Sequence, residues 1–255
     1  MFQKTFIRLR ELVKSVLMFF ICRAPLRYLD TTKIIADLNN GGGGEVYGFE
    51  LLLRRALVAP KYRKIFYDFY LKNQNGEKLI IIDGSAHKGV FSDVALACGA
   101  ICHAFEPNLY LCAFLRNLYK NNKNFILHEA AIGTKNEKTT FYDMDENIVS
   151  DGASIVHIQT PYKQSAGYDV QVFDFCAFLK KLIAEHGKIH FLKLDIEGAE
   201  FEVLDAILEQ KLFPHIDYLM VETHERFFTN PKAKIRQLQT KIRQKNATNI
   251  YLDWV

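Results

Sequence analysis

The chain carries no C-x-x-C pair, no cysteine and histidine cluster at zinc spacing and no G-x-S-x-G elbow, which argues against a zinc site and against a serine hydrolase. Its cysteines are few and odd in number. Cys22, Cys98, Cys102, Cys112 and Cys176 lie mostly within apolar runs, so they read as buried thiols of a reducing compartment and not as a disulfide framework. The two commonest phosphate loops are missing as well. No G-x-G-x-x-G follows the apolar run at 79–82, and Gly89 is followed by Val90 and Phe91 where a P-loop requires Lys and Ser or Thr. The formal net charge of +4 is modest and no stretch interleaves aromatic with basic residues, so nucleic acid is not an expected partner. A secretory signal is not expected either, because Glu11 precedes a short apolar run with no small-residue cleavage site after it.

What the sequence does contain is a strand–turn–helix–strand unit over residues 79–108. The run 79–82 is apolar and rich in branched side chains, as in a strand buried on both faces of a parallel sheet, and Asp83 ends it. Gly84 and Gly89 bracket a turn that lets the backbone approach a ligand, residues 90–98 have helical spacing, and Gly99 stops the helix. A second buried strand, 101–105, ends in Glu106, an acid placed to take hydrogen bonds from ribose hydroxyls. The turn Asp83-Gly84-Ser85-Ala86-His87-Lys88-Gly89 suits a nucleoside without a pyrophosphate and with a cationic amino-acid tail, as in S-adenosylmethionine.

A third buried strand, 190–195, runs into three acids at one strand-to-helix turn. Asp195 sits at the carboxyl end, where ligands bind in open parallel sheets; Glu197 belongs to the turn; Glu200 falls in the first helical turn, where the macrodipole favours negative charge. A fourth strand, 218–221, ends in Glu222-Thr223-His224 and faces the same crevice. With 255 residues and 49% hydrophobic content, the chain can bury a full α/β core.

In order, the motifs IIDGSAHKG (81–89), AFEPN (104–108), AAIG (130–133), GASI (152–155), FLKLDIEGAE (191–200) and VETH (221–224) resemble those of FkbM-type methyltransferases. Members of this family use S-adenosylmethionine to methylate hydroxyls, commonly on sugars. The resemblance covers roughly residues 78–255. It implies a Rossmann-like, doubly wound, mostly parallel sheet of the class I methyltransferase type over 78–255, behind an N-terminal helical extension over 1–77. It also implies that Asp83, Gly84, Ser85, His87 and Gly89 hold the cofactor's amino-acid tail, that Glu106 with Pro107 and Asn108 receives its ribose, and that Ala131 lies near the adenine. The family usually has Gly at the position of Ser85 and often Asn at that of His87, and Gly84 is expected to supply the turn's backbone freedom.

The inferred chemistry is in-line transfer of the sulfonium methyl to an acceptor oxygen, for which a base helps by about 10²–10⁴-fold. Asp195 and His224 are the candidate bases, with Glu197 or Glu222 holding either in place. Asp195 has an alternative role, orienting the cofactor's cationic end, and His224 another, capping the sheet edge; His87 and His103 read as loop and strand residues. The acceptor class implied by the resemblance is a sugar hydroxyl of a glycan or of its activated precursor, and hence a cytoplasmic enzyme. An oxidoreductase using NAD would share Glu106 but lacks its fingerprint, and a non-catalytic scaffold of the same fold remains a third reading.

Phe6, Leu9, Val13, Val16 and Phe20 form an amphipathic helical stripe, read as packing on the protein or a second subunit, lying at a membrane surface, or targeting. Its longest uncharged run, 15–22, is far short of the roughly 20 residues that span a bilayer. Helical patterns at 33–38 and 49–70, interrupted by Gly41 to Gly44, suggest a cap over the cofactor domain. Between 135 and 172, short β-like pieces at 139–142 and 168–172 flank a loop with Asp143, Asp145, Glu146 and Asp151, a lid candidate. Those acids lack EF-hand spacing and read as solvated surface, so no metal is assigned. Residues 231–245 form a basic helix with Ile235, Leu238 and Ile242 turned inward, and 249–255 a closing strand that carries Trp254 in or beside the sheet.

Overall fold

The computed structural model describes residues 63–142, 153–156 and 167–254. The stripe from Phe6 to Phe20, Cys22, the patterns at 33–38 and 49–62, the glycines 41–44, the acids Asp143, Asp145, Glu146 and Asp151, and Val255 lie outside the described residues. By internal contacts the chain divides into a unit of Met1–Lys78 with Asp93–Gly99 and a unit of Leu79–Ser92 with Ala100–Val255. In the first, α1 (Arg63–Gln74) buries Phe66 and Phe69, whose rings meet edge to face at 6.4 Å. Asn73 Nδ2 donates to the Gly99 carbonyl at 3.1 Å, and a side chain at Gly99 would collide with it, so glycine is required there for space as well as for its φ of 78°.

The second unit is built on six parallel strands in the order β3-β2-β1-β7-β8-β9. These are β1 (Ile80–Gly84), β2 (Ile101–Phe105), β3 (Phe125–His128), β7 (Ile189–Leu194), β8 (Ile216–Val221) and β9 (Ile250–Tyr251). The central runs are largely apolar because both faces are covered: every residue of β1 and β7 is buried, Asp83, His190 and Lys193 included. The helices of this unit are α3 (Leu109–Leu118), α4 (Phe175–His186), α5 (Glu200–Glu209) and α6 (Pro231–Gln244), while α2 (Val90–Ala97) is divided between the two units at Ser92. On one face Ile80, Ile82, Leu192 and Leu219 pack in a single core with Phe175 and Leu179 of α4, Leu204 and Ile207 of α5, and Leu238 of α6. Ile235 and Ile242 join that core, as the spacing of the basic helix predicts.

On the other face, Phe91, Phe191 and Trp254 form an aromatic cluster with centroids 5.2–5.8 Å apart. Only two residues of the expected closing strand pair as β9. The chain bends at Leu252, so that the Trp254 amide donates to the Val221 carbonyl at 3.3 Å while its indole packs edge-on against the two phenylalanines. A second sheet, β4-β6-β5, joins β4 (Ala131–Gly133) parallel to β6 (Tyr168–Asp174), and β6 antiparallel to β5 (Glu137–Phe141). The β-like pieces read from the sequence are thus partners in one hairpin-like pair. Cys98, Cys102, Cys112 and Cys176 are buried and outside any disulfide among the described residues. Among the described residues no helix is long and apolar enough to cross a membrane.

His128, at the end of β3, stacks on Phe105 at 4.4 Å, with Phe178 edge-on and His103 Nδ1 3.1 Å from its Nε2. Burial, with a smaller contribution from Lys181, lowers its pKa to about 4. In the unfolded chain this imidazole takes its proton near the ordinary value of about 6.5, so the unfolded state binds it first as pH falls. Stability should therefore decline between about pH 6.5 and 4, by about 2 kcal/mol after allowance for partial exposure, and then level. Urea titrations across that range should show this component vanish in His128→Phe, which keeps the stack and cannot be protonated. An unchanged difference between pH 6.5 and 4 would remove His128 as its source.

Candidate functional site

Parallel register decides which residues meet. Gly84 lies opposite both Phe105 and Leu194, and Leu194 lies opposite Val221. The residues that follow, Ser85, Glu106, Asp195 and Glu222, therefore leave the sheet side by side at its carboxyl edge. Strand order reverses between β1 and β7, and the crevice outside the strands at such a switch point is where open α/β sheets bind ligands.

A cleft opens there, lined by the turn residues Ser85 and His87, by Glu106, Pro107 and Asn108, by Ala131, and by Glu197. Phe105, Leu111, Ile132 and Phe141 give it apolar walls, and Ser154 and Ile155 close another side. Asp83, Gly84, Gly89, Asp195, Glu222 and His224 do not line this cleft; they lie beneath or beside it. Glu106 is buried, and each of its carboxylate oxygens accepts one backbone N–H, from His87 at 2.7 Å and from Asn108 at 2.9 Å. A carboxylate has lone pairs for about four such bonds, so Glu106 holds the turn and keeps acceptor capacity toward the cleft. Burial pushes its carboxyl above the ordinary range, against the pull of those amides. The Asn108 side-chain oxygen caps α3, accepting from the amides of Tyr110 and Leu111.

Gly84 does not provide the turn's freedom. Left-handed backbone occurs instead at Ser85 (φ 73°), His87 (φ 48°) and Gly89 (φ 81°). Gly84 is needed for space: a Cβ there would sit 2.7 Å from the Lys193 carbonyl of β7. The Ser85 conformation is imposed from outside, since the Lys193 ammonium takes the Ser85 carbonyl at 2.8 Å and Glu106 takes the His87 amide.

Lys193 was not singled out by sequence reasoning, yet it organises the site. It projects from β7, is buried, and places Nζ 3.3 Å from Asp83 Oδ1 and 3.4 Å from Asp195 Oδ2. Ser92 Oγ donates to the other Asp83 oxygen at 2.7 Å. Burial alone would lower the lysine pKa, but the two carboxylates outweigh it and hold Lys193 above the usual lysine range, so it stays a cation. A charged residue inside an otherwise apolar strand was the available signal, because such a residue must be paired.

The second charged centre surrounds His224, which is 1% exposed. Its Nε2 lies 3.2 Å from Glu197 Oε2, 3.8 Å from Asp195 Oδ1 and 3.9 Å from Glu222 Oε1, and its Nδ1 lies 3.3 Å from Glu200 Oε1. Several of these are close without being aligned: Nδ1 and Glu197 Oε2 have no hydrogen-bond partner. The fully buried Glu200 carboxylate accepts the backbone amides of Gly198 at 2.8 Å and His224 at 2.7 Å, and so ties the β7–α5 turn to the end of β8. Burial works against protonating His224, but Glu197 and Glu200 raise its pKa to about 10. That direction leads away from neutrality and does not favour the role of base expected of His224 from the sequence. Burial and neighbouring Asp195 push the Glu222 carboxyl upward. Ser154 also escaped sequence reasoning as a site residue. Its hydroxyl donates to the Glu197 carbonyl at 2.5 Å and steadies a turn whose φ of 51° is left-handed.

A parallel sheet with this strand order, an acid-tipped β2 beside the cleft and a cluster of acids after β7 and β8 make up a Rossmann-like α/β fold with a crevice at its switch point. The sequence profile of the methyltransferase FkbM domain matches residues 83–246, and the chain belongs to that family. A solved structure, methyltransferase FkbM from Methylobacillus flagellatus KT, is similar over 53% of this chain and 31% of that one, at 16% identity and a TM-score of 0.30. This chain thus spans less than a third of that protein's length. Comparison with curated proteins gave no match.

Removing one partner of a buried ion pair leaves an uncompensated charge. Lys193→Met should lower stability by about 3–5 kcal/mol, and Asp83→Asn combined with Lys193→Met by clearly less than the sum of the single changes. Urea denaturation of the four proteins measures this, and additive losses would mean the two groups do not depend on one another. Ser85→Gly should raise stability by about 0.5–1 kcal/mol, since relief of the left-handed conformation outweighs the added freedom of the unfolded chain. A lower melting temperature in that variant would show that the serine side chain is itself required.

Proposed function

We propose that this methyltransferase takes its methyl group from S-adenosylmethionine and delivers it to a hydroxyl, most suitably a sugar hydroxyl of a glycan or of its activated precursor, in the cytoplasm. The observation that carries this reading is the cleft in which Glu106, the 85–87 turn and Ala131 come together beside the partly exposed acids that follow β7 and β8.

The residues fit the cofactor. Glu106 has acceptor capacity for two ribose hydroxyls, the walls from Phe105, Leu111 and Ile132 suit an adenine face, and among the described residues no lysine or arginine lines the cleft to repel a sulfonium or an ammonium. When bound, the cofactor supplies an electrophilic methyl on a positively charged sulfur. The protein's part is to fix the acceptor in line with that methyl and to exclude water, and such orientation can supply about 7–11 kcal/mol of barrier reduction. The hydroxyl proton passes to a carboxylate. Glu197 lines the cleft, Asp195 and Glu222 stand beside it with side chains 26% and 32% exposed, and Glu200 is fully buried and committed to two backbone amides. His224, buried to 1%, orients those acids.

Titration calorimetry of the full chain with S-adenosylmethionine and with its demethylated product tests the reading. Both should bind wild type, and Glu106→Ala should bind roughly 10- to 100-fold more weakly, as expected for loss of hydrogen bonds to a buried charged group. Equal affinity in the variant would take Glu106 out of the ribose role. Binding of NAD in place of both would turn the reading to an oxidoreductase.

A further inference from the structure

We propose that the outer face of α6, with the shallow groove between α6 and α5, is a docking surface for the phosphate head groups of an anionic lipid bilayer. The inference goes beyond methyl transfer and does not depend on the identity of the methyl donor.

Residues 231–245 carry six lysines and arginines and no acid. Their contacts divide them by role. Lys241 reaches Asp205 at 2.7 Å and Lys245 reaches Glu209 at 3.1 Å, so these two fasten α6 to α5. Lys234 is held over the rings of Phe228 at 4.4 Å and Phe201 at 5.1 Å. Lys232, Arg236 and Arg243 are exposed, and among the described residues none of them is paired with a carboxylate. Spaced four and seven residues apart, they fall on one stripe of the helix about 16 Å long. The packing of α6 on α5 accounts for the first group of cations and not for this second one.

A groove runs beside the stripe, lined by Phe201 and Asp205 of α5 and by Lys234, Arg236, Thr240 and Lys241 of α6. Three cations meet one carboxylate there, and Lys241 already engages that carboxylate. Arg243 stands at the groove's edge, its Nη2 donating to the Thr240 hydroxyl at 3.3 Å. Cationic donors in excess of acids suit the oxygens of a phosphate. The straight exposed row matches a flat anionic surface, near which each lysine or arginine strengthens binding about 5-fold. Nucleic acid fits less well, because α6 carries no aromatic side chain on which an unpaired base could stack.

The test sediments the full chain at low ionic strength with vesicles of roughly two parts phosphatidylcholine to one part phosphatidylglycerol, and with phosphatidylcholine vesicles alone. Binding to the anionic vesicles only is expected, and Arg236→Gln combined with Arg243→Gln should weaken it about 25-fold. Lys120→Gln combined with Lys123→Gln removes the same net charge from exposed positions outside α6 and should leave binding within about 2-fold of wild type. All four side chains are exposed, so both double variants should keep the circular dichroism of wild type. Equal loss in the two double variants, no loss in the α6 variant, or equal binding to the two kinds of vesicle would each overturn the surface. Displacement from the vesicles by a uridine oligonucleotide, or by inorganic phosphate at constant ionic strength, would overturn the bilayer as occupant in favour of nucleic acid or of a free phosphate.

Discussion

One buried ammonium sets the geometry of the sheet's carboxyl edge. Lys193 is brought level with Asp83 by the pairing of β1 with β7, and from there it reaches Asp83, Asp195 and the Ser85 carbonyl. Taking such ions out of water costs several kcal/mol each, which good geometry and further hydrogen bonds must offset. The structure supplies both: Ser92 satisfies the remaining Asp83 oxygen, and the lysine's other contacts are turn carbonyls. The same contacts that stabilise the ion therefore shape the turn after β1 and fix the first acid after β7. Stability and site geometry are here a single problem, solved at the point where the strand order reverses.

A similar logic recurs at His224. Glu200 uses its buried carboxylate to hold the amides of Gly198 and His224, which fixes the β7–α5 turn relative to the end of β8. The imidazole then fills the space among the acids that this turn and strand end bring together. Without a cation beside them, Asp195, Glu197 and Glu222 would repel one another at this distance. Lys193 and His224 thus permit a density of carboxylates that the crevice could not otherwise hold.

The parallel strands were legible in the sequence because burial on both faces leaves them as apolar runs with branched side chains, and 79–82, 101–105 and 190–195 all show it. The acids at strand ends were legible for a related reason: a carboxylate that closes such a run has only the crevice to face. Contacts between distant segments were not. Nothing in the local pattern shows that Lys193 pairs with Asp83, or that Glu200 binds the amide after β8, because those pairings exist only once register is fixed. The turn was misread in one respect. Glycine was expected to supply the left-handed backbone, whereas Gly84 is selected by the close approach of β7 and the strain falls on Ser85. The second sheet was visible as fragments only, since β4, with three residues, is too short to carry a periodicity.

The balance of charge bears on how the proposed reaction would be accelerated. A sulfonium donor loses its positive charge as the methyl departs, so carboxylates placed to attract it too strongly would stabilise the bound reactant more than the transition state. In this crevice the partly exposed carboxylates of Asp195 and Glu222 are drawn toward the cations beside them, Lys193 at 3.4 Å from the first and His224 at 3.9 Å from the second. Their attraction for the donor is moderated, while an acceptor hydroxyl, whose proton must leave as the oxygen attacks, still meets an available acceptor. Buried cations beside partly exposed acids thus favour the step in which the donor's charge disappears over the binding step that precedes it.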